Sequence, residues 1–242
     1  MLVLFTDTDT DLTPQEAQKY GYRFISMPYS IDGKEVYPYV DFDEFHPHEF
    51  YQRLRDGVMP QTSAISPEAY TAYFEPFFQK GDDILYVHFS AAMSGTFNAM
   101  HLAVQELLQK YPERHFYTVD TKGITICSNN IVKEIGDLYL RGATAQEILD
   151  WADREVDKFA IYFYADNLKF FQRSGRVSGF SAAMGNLIGI KPIIYMSSEG
   201  VMTSLAKGRG RKKTLSMIVD YVENLQENIR DHRVIIGHTD AL

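Results

Sequence analysis

Three carboxylates follow the first apolar stretch of the chain. Residues 6–12 have the sequence Thr-Asp-Thr-Asp-Thr-Asp-Leu and come directly after the apolar run at residues 2–5. In an open parallel sheet, ligands bind at the carboxyl ends of strands, so Asp7, Asp9 and Asp11 could hold magnesium or act as acid or nucleophile. The alternative is structural, because Asp and Thr side chains also satisfy backbone donors in turns and cap helices. We favour the structural interpretation.

Two known motifs are similar to this segment but incomplete. Asp7 and Asp9 resemble the Asp-x-Asp motif of the haloacid dehalogenase phosphotransferases, which we keep as the alternative function. Those enzymes also need a lysine and a late Gly-Asp pair after another strand, whereas the Gly-Asp at residues 81–82 precedes an apolar strand. An EF-hand loop would need glycine at Leu12 and glutamate at Gln18, so a calcium loop is excluded.

Two loops rich in hydroxyl groups could hold an oxyanion. Residues 60–63 are Pro-Gln-Thr-Ser, and residues 90–96 are Ser-Ala-Ala-Met-Ser-Gly-Thr after an apolar strand. Small residues at a helix start present N–H groups and hydroxyls, and the helix dipole favours negative charge. A carboxylate or phosphate fits there, although an ordinary helix cap at Ser94 explains the second loop equally well. Without a Gly-x-Ser-x-Gly elbow, a serine nucleophile is not expected.

A cluster of cations lies late in this acidic chain. Arg209 and Arg211 stand close in sequence to Lys207, Lys212 and Lys213. Such a positive patch binds an acidic partner or a phosphate, or it is simply a solvated surface. Because Lys212 stands where a phosphate-binding P-loop needs glycine, we interpret the cluster as a docking surface rather than a catalytic loop.

The segment at residues 43–49 contains acidic residues and two histidines and could suggest a metal site. Pro47 separates the two histidines, and the sequence offers no further ligand nearby. We interpret the segment as an exposed helix start and predict no metal site.

Composition narrows the classes of function. The 242 residues include 24 basic and 32 acidic side chains, giving a formal charge of −8, so binding to nucleic acid is not expected. The single cysteine, Cys127, cannot form an intrachain disulfide, which favours a reducing compartment and a cytoplasmic location. No apolar run reaches the ~18 residues of a membrane-spanning helix, so an integral membrane protein is not expected.

Short apolar runs alternate with helical periodicity, which is typical of an α/β fold. The apolar runs predict buried strands, and apolar residues at three-and-four spacing predict helices. Thr144 and Glu147 form a capping box that predicts a further helix start. Turns at residues 32–33 and 199–200 predict two hairpins, whose arms are residues 24–31 with 35–39 and residues 192–196 with 201–205. The other strands are residues 2–5, 84–89, 115–119, 159–164 and 234–237, and the helices are residues 14–20, 43–55, 67–79, 96–110, 124–140 and 214–228.

We place a domain boundary near residue 160, where long helices give way to a strand, a glycine-rich segment and a hairpin. This predicts an N-terminal α/β domain over residues 1–160 and a smaller α/β domain over residues 161–242. Because the chain stops soon after the last predicted strand, we expect the second domain to be incomplete at its C-terminus.

Together the motifs resemble those of the DegV family of bacterial fatty-acid-binding proteins over nearly the whole chain. The opening at residues 6–12, the Pro-x-Thr-Ser loop at 60–63 and the Ser-x-x-x-Ser-Gly-Thr turn at 90–96 agree in order and spacing. A Lys-x-Gly-Arg-hydrophobic-Ser motif corresponds to residues 173–178, and an Ile-Lys-Pro motif to residues 190–192. The resemblance implies two α/β domains, the first with a Rossmann-like parallel sheet, and a long-chain fatty acid bound between them.

The resemblance also implies roles for individual residues. Thr62 and Ser94 would bind the fatty-acid carboxylate, and no cofactor or catalytic group would be needed. Some members present the bound acid to a separate kinase subunit, which makes acyl phosphate for phospholipid synthesis. By that analogy, Arg209 and Arg211 would face the kinase. The possible neighbours of the carboxylate site are Ser63, Gly95, Thr96 and Arg176.

Two departures from the family pattern bear on the site. The family's Asp-Ser-x-x-x-Ser-x-Gly-x-Gly stretch corresponds to residues 120–129, where Asn129 takes the place of a small glycine. The cavity near that helix is therefore expected to differ. Family members also continue to a Gly-Thr-His-Thr-Gly-Pro-Gly segment beside the ligand head group. We expect this sequence to be a piece of a longer chain, or else a variant with a weaker carboxylate site.

Overall fold

The computed structural model describes residues 1–166, 168–178 and 189–241. Short 3-10 helices follow the first and sixth strands, at Thr8–Thr10 and Ala91–Met93. The strands are β1 (Leu2–Asp7), β2 (Tyr22–Ile25), β3 (Tyr29–Ile31), β4 (Lys34–Val36), β5 (Gln61–Thr62), β6 (Asp83–His88), β7 (Phe116–Asp120), β8 (Tyr162–Tyr164), β9 (Val177–Ser178), β10 (Ile190–Met196) and β11 (Met202–Arg209). The helices are α1 (Pro14–Tyr20), α2 (Pro47–Arg55), α3 (Pro67–Gln79), α4 (Thr96–Lys110), α5 (Thr125–Leu140), α6 (Ala145–Glu155), α7 (Lys169–Ser174) and α8 (Arg211–Leu225).

A parallel sheet with the order β2-β1-β6-β7 forms the centre of the first half of the chain. The two central strands, β1 and β6, have fully buried centres, including Leu4, Phe5, Ile84 and Leu85. Such uniformly apolar strands form where helices cover both faces of a sheet and remove both rows of side chains from water. The predicted α/β fold with a parallel sheet is confirmed.

One face of this sheet packs against α3 and α4. Phe5 of the sheet contacts Phe74 of α3 edge to face, with ring centroids 5.3 Å apart. Tyr70 and Met100 complete this layer and are almost fully buried. The predicted ranges of both helices agree with the structure. Ser66 begins α3 by accepting a hydrogen bond from the Ala69 N–H at 3.3 Å, as a helix cap does.

The other face packs against α1, α5 and α6. Leu12, Ile131 and Ile135 are fully buried in this second core. The predicted capping box is present, because Thr144 and Glu147 satisfy each other's backbone N–H groups at the start of α6. The two cores fix the carboxyl ends of β1 and β6.

A small antiparallel sheet, with the order β4-β3-β5, lies beside the central sheet. Its β3–β4 hairpin turns at residues 32–33, which confirms the predicted hairpin. The single strand predicted over residues 24–31 is wrong, because residues 22–25 form β2 of the parallel sheet and β3 begins only at Tyr29. Pro28 lies between the two and lacks the backbone N–H that a continuous strand would use.

A second four-stranded sheet has the order β8-β10-β11-β9, with the predicted β10–β11 hairpin at its centre. Ile194 and Met202 of this hairpin belong to the same core as α3 and α4. Ser90 after β6 donates a hydrogen bond to the Gly200 carbonyl at 2.7 Å. Gly200 has a φ of +75°, and a Cβ there would lie 2.2 Å from the Ser90 oxygen, so the contact requires glycine. The boundary near residue 160 stays a prediction.

Several predicted bounds differ from the structure. The helix predicted from residue 43 begins at Pro47, and the helix predicted over residues 214–228 is α8, which starts and ends three residues earlier. The strand predicted over residues 234–237 is wrong. That segment is irregular, and the Ile236 residue is 92% exposed. No helix in the described part of the chain is long and apolar enough to cross a bilayer.

Candidate functional site

A cavity of about 520 Å³ opens at the carboxyl ends of β1 and β6. Its wall combines loops that are distant in sequence: the segment after β1, the turn after β5 and the turn before α4. This agrees with the rule that ligands bind at the carboxyl ends of parallel strands. Among the residues predicted for the site, Thr62, Ser63, Ser94, Gly95 and Arg176 line this cavity.

Ser94 is fixed by the start of α4. It follows the short helix Ala91–Met93 in an extended conformation, and its hydroxyl oxygen accepts a hydrogen bond from the Thr96 N–H at 3.3 Å. The ordinary N-cap predicted at Ser94 is wrong, because Gly95 is the N-cap residue of α4, and Ser94 satisfies the N–H of the first helical residue from one position earlier. The Ser94 hydroxyl proton is still available to a ligand, because the capping bond uses the oxygen as acceptor.

Thr62 and Ser63 reach the cavity from β5. Thr62 pairs with Tyr29 of β3, and the Ser63 N–H donates to the Pro28 carbonyl at 3.1 Å. The two contacts fix the backbone of this loop while both hydroxyl groups remain exposed. The Pro-Gln-Thr-Ser segment is thus held opposite the α4 start by the small sheet.

Arg176 connects the two hydroxyl loops. Its Nε donates to the Met93 carbonyl at 3.0 Å, and its Nη2 donates to the Thr62 hydroxyl oxygen at 3.3 Å. A guanidinium has five N–H donors, so these two bonds leave others for a ligand anion. The structure brings Thr62, Ser94 and Arg176 together on the cavity wall, and we call this group of three residues the polar end of the cavity.

Thr96 lies behind the cavity wall rather than on it. Its buried hydroxyl oxygen accepts from the Ile65 N–H and forms a hydrogen bond with the Tyr70 hydroxyl, both at 3.1 Å. It therefore ties the segment after the Thr62 loop to α4. Thr96 supports the site without facing the ligand.

Asp7 is a buried structural group. Its carboxylate oxygens accept from the Tyr86 hydroxyl at 3.0 Å, the Phe89 N–H at 3.2 Å and the Asp9 N–H at 3.0 Å. Burial, aided by the charge of Asp9, raises the pKa of Asp7 well above its ordinary value. Because three donors already occupy Asp7, the arrangement supports the structural interpretation over a phosphotransferase nucleophile. No cluster suited to a metal ion occurs among the described residues.

Asp9 and Asp11 face the same cavity as the hydroxyl loops. Desolvation raises the pKa of Asp9 to about 7, the nearby charge of Asp11 adds to this rise, and Arg176 partly opposes it. Desolvation raises the pKa of Asp11 to about 6. The sequence pattern places these carboxylates at a strand end, but it does not show that they share a cavity with Thr62 and Ser94.

Most of the remaining cavity wall is apolar. Met27, Phe89, Met93, Ile124 and Met202 contribute from the cores. The outer wall consists of rings that contact one another, with Phe45 and Phe50 at 5.4 Å and Tyr29 and Phe50 at 5.9 Å. The sequence analysis missed this outer wall, although the density of aromatic residues between 37 and 51 is a visible signal. Its lining rings are Tyr29, Tyr39, Phe42, Phe45 and Phe50.

The predicted docking residues do not line this cavity. Arg209 ends β11 and is exposed, and Arg211 begins α8 and donates to the Ala241 carbonyl. The neighbouring lysines at 207, 212 and 213 are also exposed. The basic cluster is therefore a separate surface beside the second sheet.

Comparison with known proteins now identifies the family. The model of the DegV family, a family described as uncharacterised, matches residues 1–242. The chain belongs to the DegV family. A DegV domain-containing protein of Clostridium perfringens is 33% identical over 240 residues, which cover 99% of this chain and 82% of the relative. The predicted family is confirmed.

Solved DegV structures have the same fold. A structure described as showing fatty acid binding of a DegV family protein from Thermus thermophilus is 27% identical, with a TM-score of 0.80, covering 94% of this chain and 78% of that one. A stearic-acid-binding protein from Eubacterium ventriosum is 23% identical, with a TM-score of 0.83, covering 96% of this chain and 79% of that one. The latter similarity supports the fold.

Proposed function

We propose that this protein binds a long-chain fatty acid in the cavity at the carboxyl ends of β1 and β6. The observation that carries this proposal is that one cavity combines the polar groups of Thr62, Ser94 and Arg176 with a large surface of methionines and aromatic rings. A ligand with one anionic head group and a long apolar body fits such a wall. The Thermus thermophilus relative, described as a fatty-acid binder, supports the same assignment.

The tail supplies most of the binding free energy. Burying about fourteen methylenes at ~0.8 kcal/mol each gives roughly 11 kcal/mol before the costs of ordering are subtracted. Each neutral hydrogen bond to the head group contributes only about 0.5–1.5 kcal/mol net. The polar end therefore sets the orientation of the ligand, because an unpaired carboxylate in the apolar part would be strongly unfavourable.

Mass spectrometry of an organic extract of the purified protein tests the proposal first. We expect a near-stoichiometric C14 to C18 fatty acid. A protein that purifies empty, and that also takes up no added palmitate in a titration, would contradict the proposed function. Phosphate release from a generic ester that is lost in Asp7→Asn would instead support the phosphotransferase alternative.

Substitutions at the head-group end test the orientation. Ser94→Ala and Thr62→Val should each weaken palmitate binding about threefold to tenfold, because each removes one hydroxyl contact. Ser216→Ala, on the exposed side of α8, is the matched control. Because the Ser94 oxygen also caps α4, thermal unfolding of each variant is measured in parallel. An unchanged affinity for palmitate in both site variants would show that these hydroxyls do not contact the carboxylate.

We infer further that the bound fatty acid is presented to a partner kinase. In that reaction the carboxylate attacks the γ-phosphorus of ATP, forming an acyl phosphate and releasing ADP. The exposed cluster at Arg209, Arg211 and their neighbouring lysines supports docking of an acidic partner surface. A partner that uses ATP acts in the cytoplasm, and the free thiol of Cys127 is consistent with that reducing compartment.

The kinase inference is tested by reconstitution with a bacterial fatty acid kinase. Acyl phosphate is trapped with hydroxylamine as the hydroxamate. We expect Arg209→Glu to lower the rate of hydroxamate formation at least tenfold while palmitate binding is unchanged. The control is Arg154→Glu, an exposed charge reversal on α6. Equal rates of hydroxamate formation for the two variants would show that the basic cluster does not dock the kinase.

A further inference from the structure

Asp9 is the carboxylate of the cavity that the proposed function leaves without a role. It lines the same cavity as Thr62 and Ser94. It also lies close enough to Arg176 for the charge of the guanidinium to affect the pKa of Asp9. The backbone N–H of Asp9 donates to Asp7, but no described residue donates a hydrogen bond to the Asp9 carboxylate oxygens. Asp9 is exposed to the cavity, so an anionic ligand bound by Arg176 would meet a second carboxylate there.

Titratable and charged groups surround Asp9 from several elements. Asp11 lies at the end of the same short helix, and Asp7 lies beneath it at the end of β1. Arg176 is the cation that faces it in the described part of the chain. Arg176 therefore faces more than one acidic group before any ligand enters. The groups that interact electrostatically with Asp9 are Asp7, Asp11, Tyr70 of α3, Tyr86 of β6 and Arg176.

We propose that Asp9 determines head-group selectivity by taking up one proton from solvent when a carboxylate ligand binds. This inference rests on the proposed function and adds to it the charge state of the bound complex. The ligand arrives as RCOO⁻, Asp9 becomes COOH, and the complex holds a single negative charge opposite Arg176. The protonated Asp9 can then donate its O–H to the ligand carboxylate or to water in the cavity.

Electrostatics explains why the proton moves to Asp9. The free cavity already holds the pKa of Asp9 at about 7, mainly through desolvation. A ligand anion neutralises Arg176 and adds a like charge, and both changes raise the pKa of Asp9 further. Linkage then requires the affinity for a carboxylate to fall as pH rises above the pKa of the free protein. A neutral head group such as an alcohol brings no charge and avoids this dependence.

Calorimetry measures the proton directly. Myristate is titrated into the purified protein near pH 7.5 in phosphate and in Tris, whose ionisation enthalpies differ, so that the difference in heat gives the protons taken up per ligand. We expect roughly half a proton or more for the unmodified chain and close to none for Asp9→Asn. The matched control, Asp220→Asn, changes the same charge on the exposed side of α8 and should retain the uptake.

The second measurement is the affinity for myristate at several pH values. Asp9→Asn should bind myristate about tenfold more tightly than the unmodified chain near pH 8.5 and about equally near pH 6, since one unit of pKa corresponds to a factor of ten. Myristyl alcohol should show no such difference. Asp9→Ser is the second variant and should match Asp9→Asn, which protects the test against poor folding of one of them.

The outcomes separate this inference from the proposed function. Myristate binding without proton uptake, or equal uptake by the unmodified chain and both Asp9 variants, would overturn the role of Asp9 and leave fatty-acid binding intact. A chain that binds neither myristate nor myristyl alcohol would overturn both. Proton uptake that disappears in both Asp9 variants and persists in Asp220→Asn is the result expected.

Discussion

The two ends of the cavity are built by different means. At the polar end, Thr62, Ser94 and Arg176 lie on segments that β5, α4 and several backbone hydrogen bonds hold in place. The outer apolar wall consists of rings on the segment around α2, a helix that contributes no buried residue. Ser94 is held by the start of α4, Thr62 by the small sheet and Arg176 by its bonds to both loops, whereas the rings mainly contact one another.

The α2 segment is attached to the rest of the molecule by surface contacts. Arg53 pairs with Asp32 of the hairpin, and Arg55 and His48 pair with Asp240 near the end of the described chain. Surface ion pairs of this kind contribute about 0–1 kcal/mol each. A rigid polar end and a weakly held apolar wall suit a ligand whose head group needs one geometry and whose tail can bend. The comparison predicts selectivity for the head group and tolerance for the tail.

Substitution at the polar end is expected to cause the largest loss of palmitate affinity. Arg176→Met removes the cation and should weaken palmitate binding about tenfold to a hundredfold, because hydrogen bonds to charged groups contribute about 1.5–3 kcal/mol. Hexadecanol, which lacks the charge, should lose much less affinity. Arg173→Met, an exposed arginine on α7, is the control. Equal losses for the acid and the alcohol would mean that Arg176 supports the cavity shape rather than the head group.

A smaller effect is expected at the aromatic wall. Phe50 contacts Tyr29, Phe45 and Tyr51, so Phe50→Ala should loosen the wall and weaken palmitate binding roughly threefold to tenfold. The loss should shrink for octanoate, whose tail covers less of the wall. Phe159→Ala, which removes a half-buried ring that packs on Trp151, is the control. A loss as large as that of Arg176→Met would contradict the contrast between the two ends.

The sequence predicted the helices and loops of this site better than it predicted the tertiary contacts between them. The ranges of α3 and α4 were correct because the apolar spacing that defines each helix, and the Ser66 cap of α3, are local features of the sequence. The motifs at 60–63 and 90–96 identified both hydroxyl loops, and both line the cavity. In contrast, the approach of Arg176 to Thr62 joins positions 114 residues apart and depends on the packing of two sheets.

The incorrect and missing predictions from the sequence also have physical reasons that lie in tertiary contacts. Residues 234–237 look like a strand because they are apolar, but a strand also needs a paired edge, and no described strand pairs with them. The rings of the outer wall follow neither helical nor strand periodicity, so pattern analysis gave them no role. Asp9 was assigned to a turn, and its backbone N–H does bond to Asp7, yet its carboxylate faces the ligand cavity.

The smallest predicted effect concerns stability, and it depends on the acidic edge of the polar end. Desolvation holds the pKa of Asp9 at about 7 and that of Asp11 at about 6, whereas in an unfolded chain both lie near ~3.9. Between roughly pH 4 and pH 7 the folded state therefore binds more protons than the unfolded state, so these groups lower the free energy of unfolding as pH rises through that window.

Asp9→Asn should remove part of this slope. Because the Asp9 residue is open to the cavity, the solvent-screened gain at pH 8 over the unmodified chain should be less than about 1 kcal/mol, and it should vanish near pH 4. Urea unfolding of the ligand-free proteins at several pH values measures it, with Asp220→Asn as the charge-matched control. A variant whose gain is the same at pH 4 and pH 8 would show that Asp9 stays ionised in the folded protein. The polar end would then bear its second anion throughout the pH range from 4 to 8, and Arg176 would be the cation that offsets both the Asp9 charge and the charge of a bound carboxylate.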